Sequence, residues 1–173
     1  MNNAALLAAI LLGEAAFGYP RRWPHPVMAA GAMIAACERR WNRGGGLRRR
    51  GGGAMLLLLL IAASAALGGA IEWVVRDFWG AFVIVAIGTT GLAQRSLYDH
   101  VAAVHARLSD ADLPGARAAV AMIVGRDTAT LDEAGVATAA IESLAESFCD
   151  GVIAPAFWFL FAGLPGLFAA KAI

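Results

Sequence analysis

One apolar run near the middle of the chain limits what the chain can fold into. Residues 54–75 read AMLLLLLIAASAALGGAIEWVV, and Glu72, close to the end, is the only ionisable side chain in the run. A helix needs about 20 apolar residues to cross the hydrocarbon core of a bilayer. The run therefore predicts a membrane-spanning helix.

The overall composition supports a membrane protein and excludes a nucleic-acid-binding one. Hydrophobic residues make up 60% of the 173 positions and charged residues 16%, whereas about a quarter of the residues are charged in soluble domains. The net charge of +1 gives no global field that would attract a polyanion. Cys37 and Cys149 form neither a CxxC motif nor a disulfide framework, and we expect both thiols to be buried or interfacial.

Three further apolar segments predict an all-α, polytopic integral membrane protein in which residues 1–173 form one domain. The segments cover residues 3–17, 81–97 and 152–170. The last contains Pro155 and Pro165, which lack a backbone N–H and can kink a helix or make it re-entrant, although we expect the segment to span. No basic residue precedes the first segment, so we expect a retained helix and not a cleaved signal peptide.

The arginines predict the orientation of these helices. Residues 18–53 contain eight of the 14 Lys and Arg residues, and short loops rich in such residues face the cytoplasm. We therefore expect residues 18–53 and 98–151 to be cytoplasmic, residues 76–80 to be external, and the N-terminus and the end of the last span to be outside. Residues 27–41 predict an interfacial helix. The GGGLRRRGGG stretch at 44–53 predicts a flexible basic hinge that contacts anionic lipid.

The second cytoplasmic segment is predicted to contain two helices separated by a turn at residues 125–128. Ser109 or Asp110 is a candidate N-cap for the first helix. The second helix is expected to begin at Thr128 or Thr130 and to continue toward Phe148. No P-loop or GxGxxG motif occurs in the chain, so ordinary nucleotide-binding folds have no support.

Three carboxylates share one face of the second predicted helix. Glu142, Glu146 and Asp150 follow at intervals of four residues with no basic residue between them, so they lie along one stripe and repel one another. A cation should offset this charge. Mg²⁺ held together with nucleotide phosphates is one interpretation, because Mg²⁺ prefers one or two carboxylates with water and phosphate oxygens. A solvated acidic face is the other.

Two further places contain residues suited to phosphate or proton chemistry. Arg126 and Asp127 form either a phosphate clamp with a metal ligand or base, or a structural pair that closes the turn. His25 lies in a rigid extended segment between Pro24 and Pro26. It is either a substrate-binding or proton-transfer group or a residue that packs at the membrane surface.

Several motifs in a fixed order resemble one protein family. They are GYPRRWPHPV at 18–27, TT at 89–90, RSL at 95–97, VGRDT at 124–128, AE at 145–146 and DGVIAP at 150–155. In this order they resemble the CobD/CbiB family of cobalamin-biosynthesis membrane proteins, the adenosylcobinamide-phosphate synthases. The chain has Glu14, Tyr19 and Ser147 where the family usually has Asp, an acid and Asn, and it is expected to correspond to the N-terminal half of the enzyme.

The resemblance implies a multi-pass protein of the bacterial inner membrane and an ATP-dependent ligase. Such an enzyme joins adenosylcobyric acid, a corrinoid, to aminopropanol or its phosphate, with ATP and Mg²⁺, and its neighbours in the membrane include lipid and other enzymes of the pathway. Arg126 and Thr128 are then expected to bind phosphate, and Asp127, Glu146 and His25 are the candidate catalytic groups. The expected Mg²⁺ ligands are Asp127, Glu142, Glu146 and Asp150.

A noncatalytic role is the competing interpretation. The chain could be a membrane scaffold, a transporter component of the corrinoid pathway, or an inactive fragment. Transporters bury ionisable residues within their spans, whereas the acids of this chain gather in a predicted cytoplasmic segment, which favours chemistry at the membrane surface.

Overall fold

The computed structural model describes residues 2–19, 26–41, 45–75 and 78–173, and within these ranges the chain forms helices and no strand. The all-α prediction is confirmed. The helices are α1 (Asn3–Phe17), α2 (Pro26–Trp41), α3 (Gly46–Val74), α4 (Phe78–Thr89), α5 (Gln94–Ser109), α6 (Leu113–Val120), α7 (Glu133–Phe148) and α8 (Ala154–Lys171). A π-helical turn, Cys149–Ile153, joins α7 to α8. His25 and residues 76–77 of the predicted external connection lie outside the described residues.

Among the residues that the structure describes, three helical stretches have the length and the apolar composition needed to cross a membrane. They are Gly46–Val74, Trp79–Ser109 and Glu133–Lys171, and α1 is a shorter apolar helix of 15 residues. The predicted segment 3–17 coincides with α1, and the predicted segment 54–75 lies almost entirely within α3.

The basic stretch before the central apolar run is helical from Gly46 onward, so the prediction of a flexible hinge is wrong there. A helix that already contains the apolar run gains one hydrogen bond for each residue it adds. This gain outweighs the low helix propensity of Gly51, Gly52 and Gly53, at about 1 kcal/mol for each glycine. The arginines at 48–50 therefore lie on the helix itself.

The apolar helices pack into one core. Its buried residues come from α1, α4, the residues after α4, and α8: Ile10, Ile84, Leu92, Phe159, Leu164 and Leu167. Helix α3 packs against α8, and the two backbones are close at Gly68, where a Cβ atom would lie 2.5 Å from the nitrogen of Pro165. A small residue at such a crossing lets two backbones approach closely.

The predicted segment 81–97 is not one continuous helix. Helix α4 ends at Thr89, the chain turns through residues 90–93, and α5 begins at Gln94. The hydroxyls of Thr89 and Thr90 donate to carbonyls three residues back, each at 2.7 Å. Hydrogen bonds of this kind, from a side chain to a nearby backbone carbonyl, compete with the backbone hydrogen bonds of a helix.

Helix α1 satisfies the free N-terminal amides of α5. The carboxylate of Glu14, 1% exposed, accepts the backbone N–H of Arg95 at 3.1 and 3.3 Å. The side chain of Gln94 donates to the carbonyl of Leu11, and Arg95 Nη1 donates to the carbonyl of Ala15 at 3.2 Å. The acid in the first apolar segment is therefore a cap for another helix.

The predicted final span is a helical hairpin and not one straight helix. Gly163 has φ 63° and ψ −147°, a conformation that is essentially restricted to glycine. A Cβ atom on Gly166 would lie 2.1 Å from the carbonyl oxygen of Trp158, whereas residues eight positions apart in a straight helix are about 12 Å apart. The chain therefore turns back at Gly163, and residues 154–162 and 164–171 form two arms.

The end of α8 is correspondingly close to the π-helical turn that precedes the helix. Lys171 lies near enough to Asp150 for an electrostatic interaction, although 21 helical residues would separate them by about 30 Å. A helix from Asp150 to Gly163 rises about 20 Å, which is less than the roughly 30 Å of a hydrocarbon core. Pro155 does not cause the turn, because it lies in the first turn of α8, where a missing N–H is tolerated.

Both groups of the hydrogen bond that breaks at Gly163 find partners on other helices. The N–H of Leu164 donates to Glu72 Oε1 at 2.7 Å. The carbonyl of Leu160, which Leu164 would reach in a continuous helix, accepts from Asn3 Nδ2 at 3.2 Å. Because unpaired backbone groups are strongly disfavoured in an apolar environment, Glu72 and Asn3 make the turn possible.

Helices α5, α6 and α7 form a second core. Its buried residues are Val104, Ala116, Val120, Val136, Ala139 and Ala140. Asp112 caps α6 and Asp132 caps α7, so the predicted cap at Ser109 or Asp110 is wrong. The predicted start of the second helix at Thr128 or Thr130 is also wrong, because α7 begins at Glu133. Helix α5 continues to Ser109, so α6 begins later than predicted, where Asp112 accepts the N–H of Gly115. At the start of α7, Asp132 accepts the N–H of Gly135 in the same way.

Candidate functional site

The predicted turn and the predicted acidic helix meet through one ion pair. Arg126 Nη2 donates to Glu142 Oε2 at 2.6 Å, and the two side chains are 52% and 64% exposed. Arg126 is therefore a cation that offsets the charge of the acidic stripe. The structure pairs it with Glu142, not with the adjacent Asp127 of the alternative interpretation.

Asp127 and Thr128 shape the loop between α6 and α7. Asp127 Oδ1 accepts the N–H of Ala129 at 2.9 Å, and the residue is exposed. Thr128 is only 7% exposed, and its hydroxyl donates to the carbonyl of Arg117 at 3.1 Å. In this structure Thr128 therefore holds the loop against α6, while Arg126 and Asp127 face solvent.

Two residues that sequence reasoning missed fix the position of the loop. Arg117 Nε donates to the carbonyl of Leu131 at 2.6 Å, and Ser143 Oγ donates to the carbonyl of Ile123 at 2.6 Å. These bonds hold both ends of the loop, one to α6 and one to α7. The signal in the sequence was weak, because side-chain bonds to a distant carbonyl leave no spacing pattern.

The remaining acids lie where α7 continues into the hairpin. Glu146 and Asp150 are exposed, four residues apart, with Asp150 in the π-helical turn. The adjacent Gly151 is buried against the α4–α5 connection, where its Cβ would lie 3.4 Å from Cβ of Ala93. The carboxylates thus stand at the junction of the two cores.

The metal and catalytic roles stay predictions. In the part of the chain that the structure describes, no group of three or more His, Cys, Asp or Glu side chains is arranged to hold a metal ion. His25 lies outside that part. Cys149 is exposed and Cys37 is partly buried, so Cys149 is not a buried thiol, and an interfacial position stays a prediction for both.

Comparison with known proteins identifies the family. The family model described as CobD/Cbib protein matches residues 6–173. The chain belongs to the CobD/CbiB family.

Relatives in this family are similar along the whole chain. Cobalamin biosynthesis protein CobD of Rhodobacter capsulatus is 44% identical over 178 residues, which cover 100% of this chain and 56% of the relative. The protein of the same name from Brucella anthropi is 46% identical over 175 residues, covering 97% of this chain and 54% of the relative. The chain spans about half the length of the curated relatives it matches. No solved structure matches it.

Membership in the CobD/CbiB family confirms the resemblance that the ordered motifs predict. The pair of Arg126 and Glu142 links the VGRDT motif to helix α7 at a position one helical turn before Glu146 of the AE motif. The DGVIAP motif of this CobD/CbiB chain forms the π-helical turn and the start of the hairpin.

Proposed function

We propose that this chain forms part of the site of an amide-forming ligase in cobalamin biosynthesis. The ligase joins the amino group of aminopropanol, or of its phosphate, to a carboxyl group of adenosylcobyric acid with consumption of ATP. The observation that carries the proposal is the contact between Arg126 and Glu142. It brings the loop with phosphate-binding chemistry to an acidic helix face beside the apolar core.

The chemistry of amide formation explains why these residue types are needed. A carboxylate oxygen must first become a leaving group, so it attacks the γ-phosphorus of ATP, the bond to ADP breaks, and an acyl phosphate forms. The amine nitrogen then attacks the acyl carbon, phosphate leaves, and the proton of the amine passes to a base. Such a site must neutralise the charge on the transferred phosphoryl group.

In this proposal Arg126 binds the phosphoryl oxygens. A guanidinium matches phosphate bidentately, and Glu142 holds the side chain of Arg126 at the surface of α7 until the nucleotide arrives. Asp127, Glu146 and His25 are the candidate proton acceptors. Thr128 contributes by holding the loop and not by direct contact, because its hydroxyl already donates to Arg117.

The acids fit a metal that arrives with a nucleotide better than a metal bound by protein alone. Glu142 is engaged by Arg126 and Asp127 by a backbone amide. The other two carboxylates of the predicted set, Glu146 and Asp150, are exposed. These two would hold Mg²⁺ together with phosphate oxygens. Bound there, Mg²⁺ would supply charge neutralisation for the phosphates.

The proposal locates the protein in the bacterial inner membrane with α5–α7 on the cytoplasmic side. The corrinoid approaches from that side, and lipid and other enzymes of the pathway are its neighbours. No nucleic acid takes part, in keeping with the net charge of +1.

A transporter component is the less favoured alternative. Transport sites use buried ionisable residues and broken helices, and this chain has both. However, Glu14 and Glu72 each already accept a backbone N–H, so in this structure they hold helix ends. A noncatalytic scaffold differs from the ligase in forming no amide product, and the assay below measures that product.

The test is an assay on membranes that contain this chain of 173 residues. They are incubated with ATP, Mg²⁺, adenosylcobyric acid and aminopropanol phosphate, and the amide is measured by mass. A parallel sample also contains the C-terminal part of the Rhodobacter capsulatus relative, and the full-length relative is the positive control. Product in either sample supports a ligase site in these residues. No product in both, with an active control, supports the scaffold.

A further inference from the structure

A groove between α2 and α3 also has Ala172 and Ile173 in its lining, and none of the acids described above lines it. It has a volume of about 470 Å³ and mainly apolar walls that include Ile34, Trp41, Leu57 and Leu60. One base and one acid, Arg49 and Glu38, also line it. Its volume lies within the range of about 300–1,000 Å³ that small-molecule sites occupy.

We propose that this groove binds one anionic phospholipid of the surrounding bilayer. An acyl chain lies along the apolar wall, and the phosphate is bound by Arg49. This inference does not depend on the ligase reaction. It also goes beyond a general attraction of basic loops to lipid, because it assigns one lipid to one groove.

The charges around the groove select an anionic headgroup. The last turn of α2 contains Arg39 and Arg40, and α3 begins with the arginines at 48–50. All five are exposed, and they outnumber Glu38, the acid in the groove lining. A guanidinium binds the phosphate of either kind of lipid, so the selection comes from the net charge of the headgroup. The cationic group of a zwitterionic lipid is repelled by the arginines, whereas basic side chains next to apolar segments favour anionic lipids.

The glycines of α3 keep the groove open on one side. Gly52 and Gly53 line it. A Cβ atom at Gly53 would meet no other atom within 4 Å, and one at Gly52 would lie 3.9 Å from Cβ of Trp41. Glycine inside a helix is unfavourable relative to alanine, and an acyl chain that needs this space gives the glycines a reason to be there.

The test compares lipid retention by matched variants of the full chain. The protein is purified in detergent, exchanged with equal amounts of phosphatidylglycerol and phosphatidylcholine of the same acyl chains, and analysed by native mass spectrometry. Gly53→Leu fills the groove and Gly51→Leu is its control, because Gly51 also has open space around it but does not line the groove. Arg49→Gln removes the phosphate ligand, and Arg48→Gln is its control.

The proposal expects one bound phosphatidylglycerol per chain, retained about fivefold or more over phosphatidylcholine, since one basic residue near an anionic surface contributes about that factor. Gly53→Leu and Arg49→Gln abolish this preference, and the two controls keep it. Equal retention of the two lipids by the unmodified chain overturns the proposal, and this measurement does not depend on whether any variant folds. Loss of the preference in all four variants also overturns it, because this result indicates a diffuse charge effect. A lipid-free dimer overturns it as well, because a second copy of the chain then fills the groove.

Discussion

At the scale of single residues, the two acids inside the apolar segments have the same structural role. Glu14 on α1 accepts a backbone N–H at the start of α5, and Glu72 on α3 accepts one at the turn within α8. Each acid thus lies opposite a break in a different helix. A lone ionisable residue in an apolar helix is visible in the sequence and indicates that its side chain has a polar partner. The sequence does not show which backbone group of another helix that partner is.

Replacing Glu14 tests this role directly. Hydrogen bonds to charged groups contribute about 1.5–3 kcal/mol, so Glu14→Ala should lower the free energy of unfolding by about 2 kcal/mol. Glu14→Gln keeps an acceptor oxygen and should lose about half as much. Titration with sodium dodecyl sulfate in mixed micelles, followed by circular dichroism, measures both. Leu12→Ala, at an exposed position of the same helix, is the control, and a neutral Glu14→Ala would contradict the role.

Gly163 should be intolerant of any side chain. Its backbone conformation is unfavourable for other residues by about 1–3 kcal/mol, and a Cβ atom would lie 2.2 Å from Glu72 Oε1. Gly163→Ala should therefore destabilise the protein by about 2 kcal/mol or more in the same titration. Gly51→Ala, on open helix surface, should instead stabilise it by up to about 1 kcal/mol. The two substitutions are therefore expected to change the free energy of unfolding in opposite directions. Equal changes would show that the hairpin does not depend on Gly163.

Exchanging the charges of Arg126 and Glu142 separates a structural ion pair from a phosphate ligand. The pair is exposed, so breaking it should change stability by only about 0.5 kcal/mol. If Arg126 binds the phosphoryl group, Arg126→Gln should slow amide formation about 100-fold. The double variant Arg126→Glu with Glu142→Arg should remain slow although the pair is restored.

The matched control for the exchange is Arg107→Gln. Arg107 forms a comparably exposed pair with Asp112, at 3.2 Å, in the same helical unit. Its loss should leave the rate within about twofold, because the pair contributes little. Full recovery of activity in the double variant would assign Arg126 a structural role only.

At the scale of elements, hydropathy predicted where helices form but not where they break. Helices α1 and α3 and the end of α7 lie where the sequence predicted them. The breaks at residues 90–93 and at Gly163 depend on acceptors and donors from other helices, which a window along one segment cannot include. The two prolines indicated a possible kink in the last segment, but the turn lies at Gly163, because the backbone angles of the turn are readily adopted only by glycine.

The hairpin makes a prediction about sidedness. If the chain turns back at Gly163, the thiols of Cys149 and of an Ile173→Cys variant should react with a membrane-impermeant maleimide from the same side. A Val74→Cys variant, at the far end of α3, should react from the opposite side. Each thiol is tested alone, with the other native cysteines replaced by serine, in inside-out and right-side-out vesicles. Residues 149, 173 and 74 are all exposed in the structure, so burial within the fold does not prevent labelling. If residue 173 is labelled from the side of the membrane opposite to that of Cys149, the last segment is a straight span and not a hairpin.

At the scale of the whole molecule, the chain consists of two cores with the candidate site at their junction. One core contains α1, α3, α4 and α8, and the other contains α5–α7. The residue types of the site were predictable from the motifs, because the VGRDT and acidic segments are local in sequence. The contact between Arg126 and Glu142 was not, since it requires α6 and α7 to pack side by side across a loop.

Because the two buried clusters have no residue in common, they should respond separately to large-to-small substitutions. Val136→Ala removes buried methyl groups in α7 and should lower the stability of α5–α7 by about 2 kcal/mol, which raises the exchange of their protected amides about 30-fold. Leu164→Ala removes a larger side chain from the other cluster and should leave those amides nearly unchanged.

Hydrogen exchange followed by mass spectrometry, read only on peptides from α5–α7, measures both variants. The helices of this unit are joined to the apolar core through the carboxylate of Glu14, which accepts the N–H of Arg95, and through the chain itself at the π-helical turn. An equal rise in exchange for Leu164→Ala would mean that the two cores unfold as one unit. Separate responses would mean that α5–α7 can open while the hairpin and α3 stay packed, so that the loop with Arg126 can move relative to the membrane core.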